Sequence, residues 1–143
     1  MDYTNDLNKV KTWLENHGSV TNWTIPAKVE KQLADLSKSC MAAYTPIPGD
    51  RECVGWFPFG SLANADGSPL GEKGAADGIC YVIDGSDTCD IGIQENILMN
   101  ANANYLASLA LHEIAHLRYA MHDDDFASYH LTLLYNYYPG ASD

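Results

Sequence analysis

Residues 105–117 read Tyr105-Leu106-Ala107-Ser108-Leu109-Ala110-Leu111-His112-Glu113-Ile114-Ala115-His116-Leu117. Almost every position is apolar, so the run predicts a helix buried nearly all round. Its polar exceptions are Ser108, His112, Glu113 and His116. At about 100° per residue these four share one sector of about 140°. A buried sector holding two imidazoles and a carboxyl needs a partner that satisfies it. The pattern His112-Glu113-x-x-His116 says which partner. Histidines four apart stand one turn apart on one helix face, where both ring nitrogens can grip a single metal ion. The intervening glutamate is then placed to act as general base toward a water.

His122 is the candidate third ligand. On a helix running straight past His116 it would lie about 240° further round and point away. The helix must therefore break between about Arg118 and Met121 for His122 to return. His130, Asp123, Asp124 and Asp125 are the competing donors. His17 has no partner nearby and reads as a helix-end residue.

The spacing excludes the two commonest HExxH classes. The metzincin pattern HExxHxxGxxH has glycine where this chain has Tyr119, and no methionine follows Met121 to make a Met-turn. The gluzincin pattern needs a downstream glutamate, and none occurs after Glu113. The stretch His112-Glu113-Ile114-Ala115-His116-Leu117-Arg118-Tyr119-Ala120-Met121-His122-Asp123-Asp124-Asp125-Phe126 resembles a different pattern. This is the HExxH-x5-H-[DGS]-x-x-[FW] motif of SprT-like and related small zinc metallopeptidases. The preceding Ile91-Gly92-Ile93-Gln94-Glu95-Asn96-Ile97-Leu98 is similar to the strand and "LNxxL" segment that lead into the metal helix there. The resemblance spans about residues 79–136. It implies a zincin-like fold, zinc on His112, His116 and His122, Glu113 as catalytic base, and Phe126 packed beneath the turn. The chain departs from the DNA-repair members in lacking a basic DNA-binding region.

Composition agrees with that departure. The 143 residues carry 19 acidic against 8 basic side chains, a net charge of −11. After Lys73 the one remaining lysine or arginine is Arg118. Such a balance repels phosphate backbones, so no nucleic-acid partner is expected. No apolar run approaches membrane-spanning length, so no membrane partner is expected either. Met1-Asp2-Tyr3-Thr4-Asn5-Asp6 has neither the basic nor the apolar region of a secretory leader.

Cysteine placement bears on compartment. Asp84-Gly85 is a favoured two-residue hairpin turn. A hairpin closed there sets Ile83 opposite Ser86, Val82 opposite Asp87, Tyr81 opposite Thr88, and Cys80 opposite Cys89. A Cys80–Cys89 disulfide is then expected, with Cys40–Cys53 as the second pair, favouring a secreted or extracytoplasmic setting. Four reduced thiols in a cytoplasmic protein are the alternative.

Around these features the chain reads as one domain, 1–143. Helices are expected over 4–17 and about 26–44, the latter with a stripe of Val29, Leu33, Leu36 and Cys40. Residues 45–78 form a long loop region rich in glycine and proline, with a short strand about Cys53–Phe59. Strands follow over 79–84 and 87–94, the second alternating as if half-buried. The metal helix covers 102–118, and a last helix begins near Asp124 with Asp123 as N-cap. The expected fold is α+β: a small antiparallel sheet or hairpin packed on N-terminal helices and on the buried metal helix, with a C-terminal helix after it. The expected activity is hydrolysis of peptide or protein substrates, more as an endopeptidase than an exopeptidase. A zinc-binding interaction module without turnover is the competing reading.

Overall fold

The computed structural model describes residues 27–59, 77–82 and 87–138. The expected 4–17 helix and the Asp84-Gly85 turn lie outside those residues. Among the described residues four helices and a three-stranded sheet follow in the order α1 (Ala27–Met41), β1 (Glu52–Phe59), β2 (Gly78–Val82), β3 (Thr88–Gln94), α2 (Glu95–Asn100), α3 (Ala103–Ala115) and α4 (Asp124–Tyr137). The architecture is mixed α+β.

Helix α1 buries Val29, Leu33, Ser37 and Cys40, a stripe at helical spacing. It stops short of the expected Tyr44. Ala43 N–H donates to the Cys40 carbonyl and Tyr44 N–H to Met41, each at 3.1 Å. Pro46 and Pro48 follow, and neither can donate a helical hydrogen bond. Helix α2 is an element the sequence reading did not assign. The Gln94 side chain caps it, accepting from Ile97 N–H at 2.9 Å. Asn102 caps α3 and Asp123 caps α4, the latter as expected, accepting from Phe126 N–H at 3.0 Å.

The sheet corrects the expected all-antiparallel hairpin. Strand order is β1-β3-β2, with β1 parallel and β2 antiparallel to β3. A parallel pair needs a long crossover, and here β2 lies within the connection from β1 to β3. Strand β3 is therefore central. It buries Cys89, Asp90, Ile91, Gly92 and Ile93, so the expected half-buried alternation does not describe it. Cys89, Ile91 and Ile93 join the core formed with α1, α3 and α4. The opposite face is filled around Gly92, where a Cβ would lie 2.8 Å from Phe57 Cζ and 3.0 Å from Ile79 Cγ1. Pro58 is tolerated in β1 because, among the described residues, that strand pairs on one side, with β3.

The β2–β3 register also differs from expectation. Val82, not Cys80, pairs with Cys89, and Cys80 pairs with Ile91. The connection is thus longer than a two-residue turn allows. Cys80 and Cys89 become diagonal neighbours on one face. Their sulfurs are 3.4 Å apart, a hydrogen-bond contact rather than the roughly 2.05 Å of a disulfide. All four cysteines are free thiols. Cys53 donates to the Gly55 carbonyl at 3.6 Å, and Cys40 is fully buried, so the expected Cys40–Cys53 bridge is not formed.

The register orients the sheet toward the site. Gly78, Cys80 and Val82 share one face of β2 with their cross-strand partners Ile93, Ile91 and Cys89. That face looks onto α3. Among the described residues no helix is long and apolar enough to cross a membrane.

Candidate metal centre

Helix α3 supplies two of three converging imidazoles. Leu106, Ala107, Ala110, Leu111, Ile114 and Ala115 are buried and fasten it in the core. The polar sector predicted from the sequence is left facing a cleft. His112 and His116 stand one turn apart with ring centroids 5.0 Å apart.

The helix ends sooner than expected, and its ending returns the third imidazole. Its last turn tightens: His116 N–H donates to Glu113, Leu117 to Ile114 and Arg118 to Ala115, each three residues back. Arg51 then takes the helix end, and Arg118 ties the turn to the segment before β1. Arg51 N–H donates to the Leu117 carbonyl at 2.8 Å, and Arg51 Nη1 to the His116 carbonyl at 3.1 Å. Arg118 forks onto Asp50 through Nε and Nη2, both at 2.9 Å, and lies 4.0 Å above the Tyr129 ring. No glycine is needed at Tyr119 because side chains from the segment before β1 hold the turn.

With the helix broken, His122 returns to the other two imidazoles. Its Nε2 lies 3.0 Å from His116 Nε2 and 3.2 Å from His112 Nε2. Phe126, 4% exposed, packs beneath all three rings with centroids 4.8, 4.5 and 5.0 Å from His112, His116 and His122. His116 Nδ1 sits 3.0 Å from the Tyr119 carbonyl. A carbonyl only accepts, so Nδ1 carries the proton and Nε2 keeps a free lone pair. Burial, then its histidine neighbours, pushes His112 down to about 4. Burial likewise lowers His116. Neutral imidazole is the ligating form.

These nitrogens fit a metal ion. Bonds of about 2.0–2.1 Å at tetrahedral angles place ligand nitrogens roughly 3.3 Å apart. The observed 3.0 and 3.2 Å are close to that edge. His112, His116 and His122 form a group able to hold one ion, all donors lying within 4.8 Å of one another. The rival donors are occupied or turned elsewhere. His130 Nε2 donates to the Ser108 carbonyl at 3.0 Å, Asp123 caps α4, and Asp124 and Asp125 are exposed in its first turn.

Glu113 is buried beside the cluster, 4% exposed, and burial pushes its carboxyl up to about 7. It faces Gly78, where a Cβ would lie 3.0 Å from Glu113 Oε2. Cavities of about 340 and 450 Å³ adjoin the site, and Gly78, His112 and Glu113 line both. The sequence reading missed Arg51, Gly78 and the Asp50–Arg118 pair. One signal was present: Arg118 is the lone Lys or Arg beyond Lys73.

Comparison with known proteins gives no match: no family model, no curated protein and no solved structure matches this chain.

Proposed function

We propose that this chain is a zinc-dependent metallopeptidase with a zincin-like core of the SprT-like type. The observation that carries the reading is the convergence of three neutral-capable Nε2 atoms beside a buried glutamate in an open cleft. An all-imidazole donor set suits zinc, and three protein ligands leave a position open, as catalytic rather than structural zinc sites do. When bound, zinc supplies Lewis acidity that activates water and polarises the scissile carbonyl.

The chain's own residues do the rest. Glu113 takes the proton of the attacking water and passes it to the leaving amine. Its burial suits a base that must exchange protons near neutral pH. The Tyr119 carbonyl holds His116 in its ligating tautomer. The cleft continues on both sides of Glu113, which favours cleavage within a chain over removal of terminal residues. Strand β3 is central and offers no edge. The edge beside the site belongs to β2, which pairs with β3 on one side and, among the described residues, with no strand on the other. An extended peptide adds there by main-chain hydrogen bonds.

Zinc stoichiometry and peptide hydrolysis, measured together, test the proposal. Glu113→Ala retains zinc and loses about 10²- to 10⁴-fold in kcat. His122→Ala loses zinc affinity. A parent protein that binds no zinc ends the reading, and full turnover in Glu113→Ala ends the mechanism. Zinc binding without hydrolysis of any peptide library leaves the interaction-module reading.

A further inference from the structure

The cleft is electrically asymmetric about Glu113. On one side the 450 Å³ cavity runs along Gly78, Cys80 and Val82 toward His122, with Arg51 in its wall. On the other, the 340 Å³ cavity opens toward the first half of α3. Its floor is Leu109, and Ser108, Tyr105, His130 and Asp77 surround it. Among the described residues no lysine or arginine lines this second cavity, and apart from Glu113 the acidic side chain they bring to it is Asp77.

Asp77 is held in place at both ends. Its carbonyl accepts from Gln94 N–H at 2.8 Å, which ties its backbone to the end of β3. Its Oδ2 accepts from the Tyr105 hydroxyl, which ties its carboxylate to α3. A carboxylate offers about four acceptor sites, so this bond leaves capacity toward the cavity. Among the described residues no lysine or arginine forms an ion pair with it. His130 brings no donor from Nε2, which is spent on the Ser108 carbonyl.

We infer that the cavity between Asp77 and Glu113 is a specificity subsite for a lysine or arginine side chain flanking the scissile bond, with Asp77 as its anionic partner. The inference rests on the peptidase reading and adds the substrate class. The apolar Leu109 floor suits the methylene stem of such a side chain, and Asp77 meets its charged head. Asp77 has one hydroxyl partner and, among the described residues, no cationic one, so a substrate that brings no cation leaves its charge unmatched. The net charge of −11 adds a field of the same sign.

The test uses peptides identical except at one position, carrying lysine, norleucine or glutamate. Zinc-loaded parent protein is expected to cleave the lysine peptide with kcat/KM about tenfold to a hundredfold above norleucine, and glutamate least. Asp77→Asn brings the lysine-to-norleucine ratio toward one, and Asp77→Lys makes glutamate preferred. Zinc-loaded Glu113→Gln gives a second readout free of turnover: its Kd is lower for the lysine peptide by a similar factor. Equal kcat/KM and equal Kd for lysine and norleucine overturn the subsite while leaving the peptidase standing. So does a lysine preference that survives Asp77→Asn. Selective lysine binding with no hydrolysis by the parent keeps the subsite and overturns the peptidase. Neither binding nor hydrolysis overturns both.

Discussion

Gly78 leaves the Glu113 side chain almost no room. A Cβ at this position would sit 3.0 Å from Glu113 Oε2, 3.2 Å from Glu113 Cγ and 3.1 Å from Leu109 Cδ1. Glu113 is buried, so its carboxylate has little space to retreat without leaving the cleft. Gly78→Ala is therefore expected to lower kcat about tenfold to a hundredfold, since an ångström of misplacement carries that cost. Zinc content is expected to stay at the parent value, because the methyl's three nearest neighbours belong to Glu113 and Leu109 rather than to a ligand ring. Parent-like kcat in this variant would remove Glu113 from the proton transfer. Gly92→Ala acts on stability instead. Its methyl would press on Phe57 Cζ at 2.8 Å. Overpacking of this kind costs about 1–3 kcal/mol, read as a lower urea midpoint. His112, Glu113 and His116 were legible in the sequence because helical periodicity alone puts them on one face. Gly78 was not, because what demands a glycine there is a side chain on another element.

At the scale of elements, the exit from α3 decides whether His122 reaches its partners. The Asp50 carboxylate, 4% exposed, accepts from Arg118 at 2.9 Å twice, from Tyr44 at 2.7 Å and from Ile47 N–H at 3.0 Å. The cluster pins the segment before β1 to the turn that His122 follows. Arg118→Ala strands a buried carboxylate and is expected to cost about 3 kcal/mol of stability. It also weakens zinc binding by about tenfold or more, through a looser outer shell. Lysine cannot reproduce the fork or the stacking on Tyr129, so Arg118→Lys rescues little. The pair also sets an acid limit. Burial would raise Asp50, but the hydrogen bonds from Arg118, Tyr44 and Ile47 outweigh it and hold the carboxyl below its ordinary value. Its stabilisation is complete above the unfolded value of about 4 and is lost as pH falls through the lower folded value. Acid titration of the urea midpoint is expected to fall more steeply below about pH 4 in the parent than in Arg118→Ala. From sequence, a break between about Arg118 and Met121 was the condition for His122 to be the third ligand. The residues that make the break come from the distant 45–51 segment, and no local pattern marks them.

For the whole molecule, the three candidate ligands lie on α3, its C-cap and the turn before α4, so an ion bound there would stabilise the native state by mass action. Zinc at 1,000 times its Kd adds about 4 kcal/mol. Chelation of the parent is expected to lower Tm, zinc to restore it, and neither to move Tm in His112→Ala. A parent Tm indifferent to chelator would argue that the three histidines hold no ion. The sequence by itself determined the α+β class, the buried HExxH helix and the Asp123 cap, since each follows from local periodicity or capping, and it offered His122 only as one third ligand among several. Tertiary structure alone decided that β3 is central, that β1 runs parallel to it, and that Cys80 faces Ile91 rather than Cys89. It also set Asp77, Gly78, Arg51 and Asp50 around the imidazoles. Strand partners and side chains distant along the chain are chosen by the packing of whole elements, and that choice leaves no periodic trace in either segment.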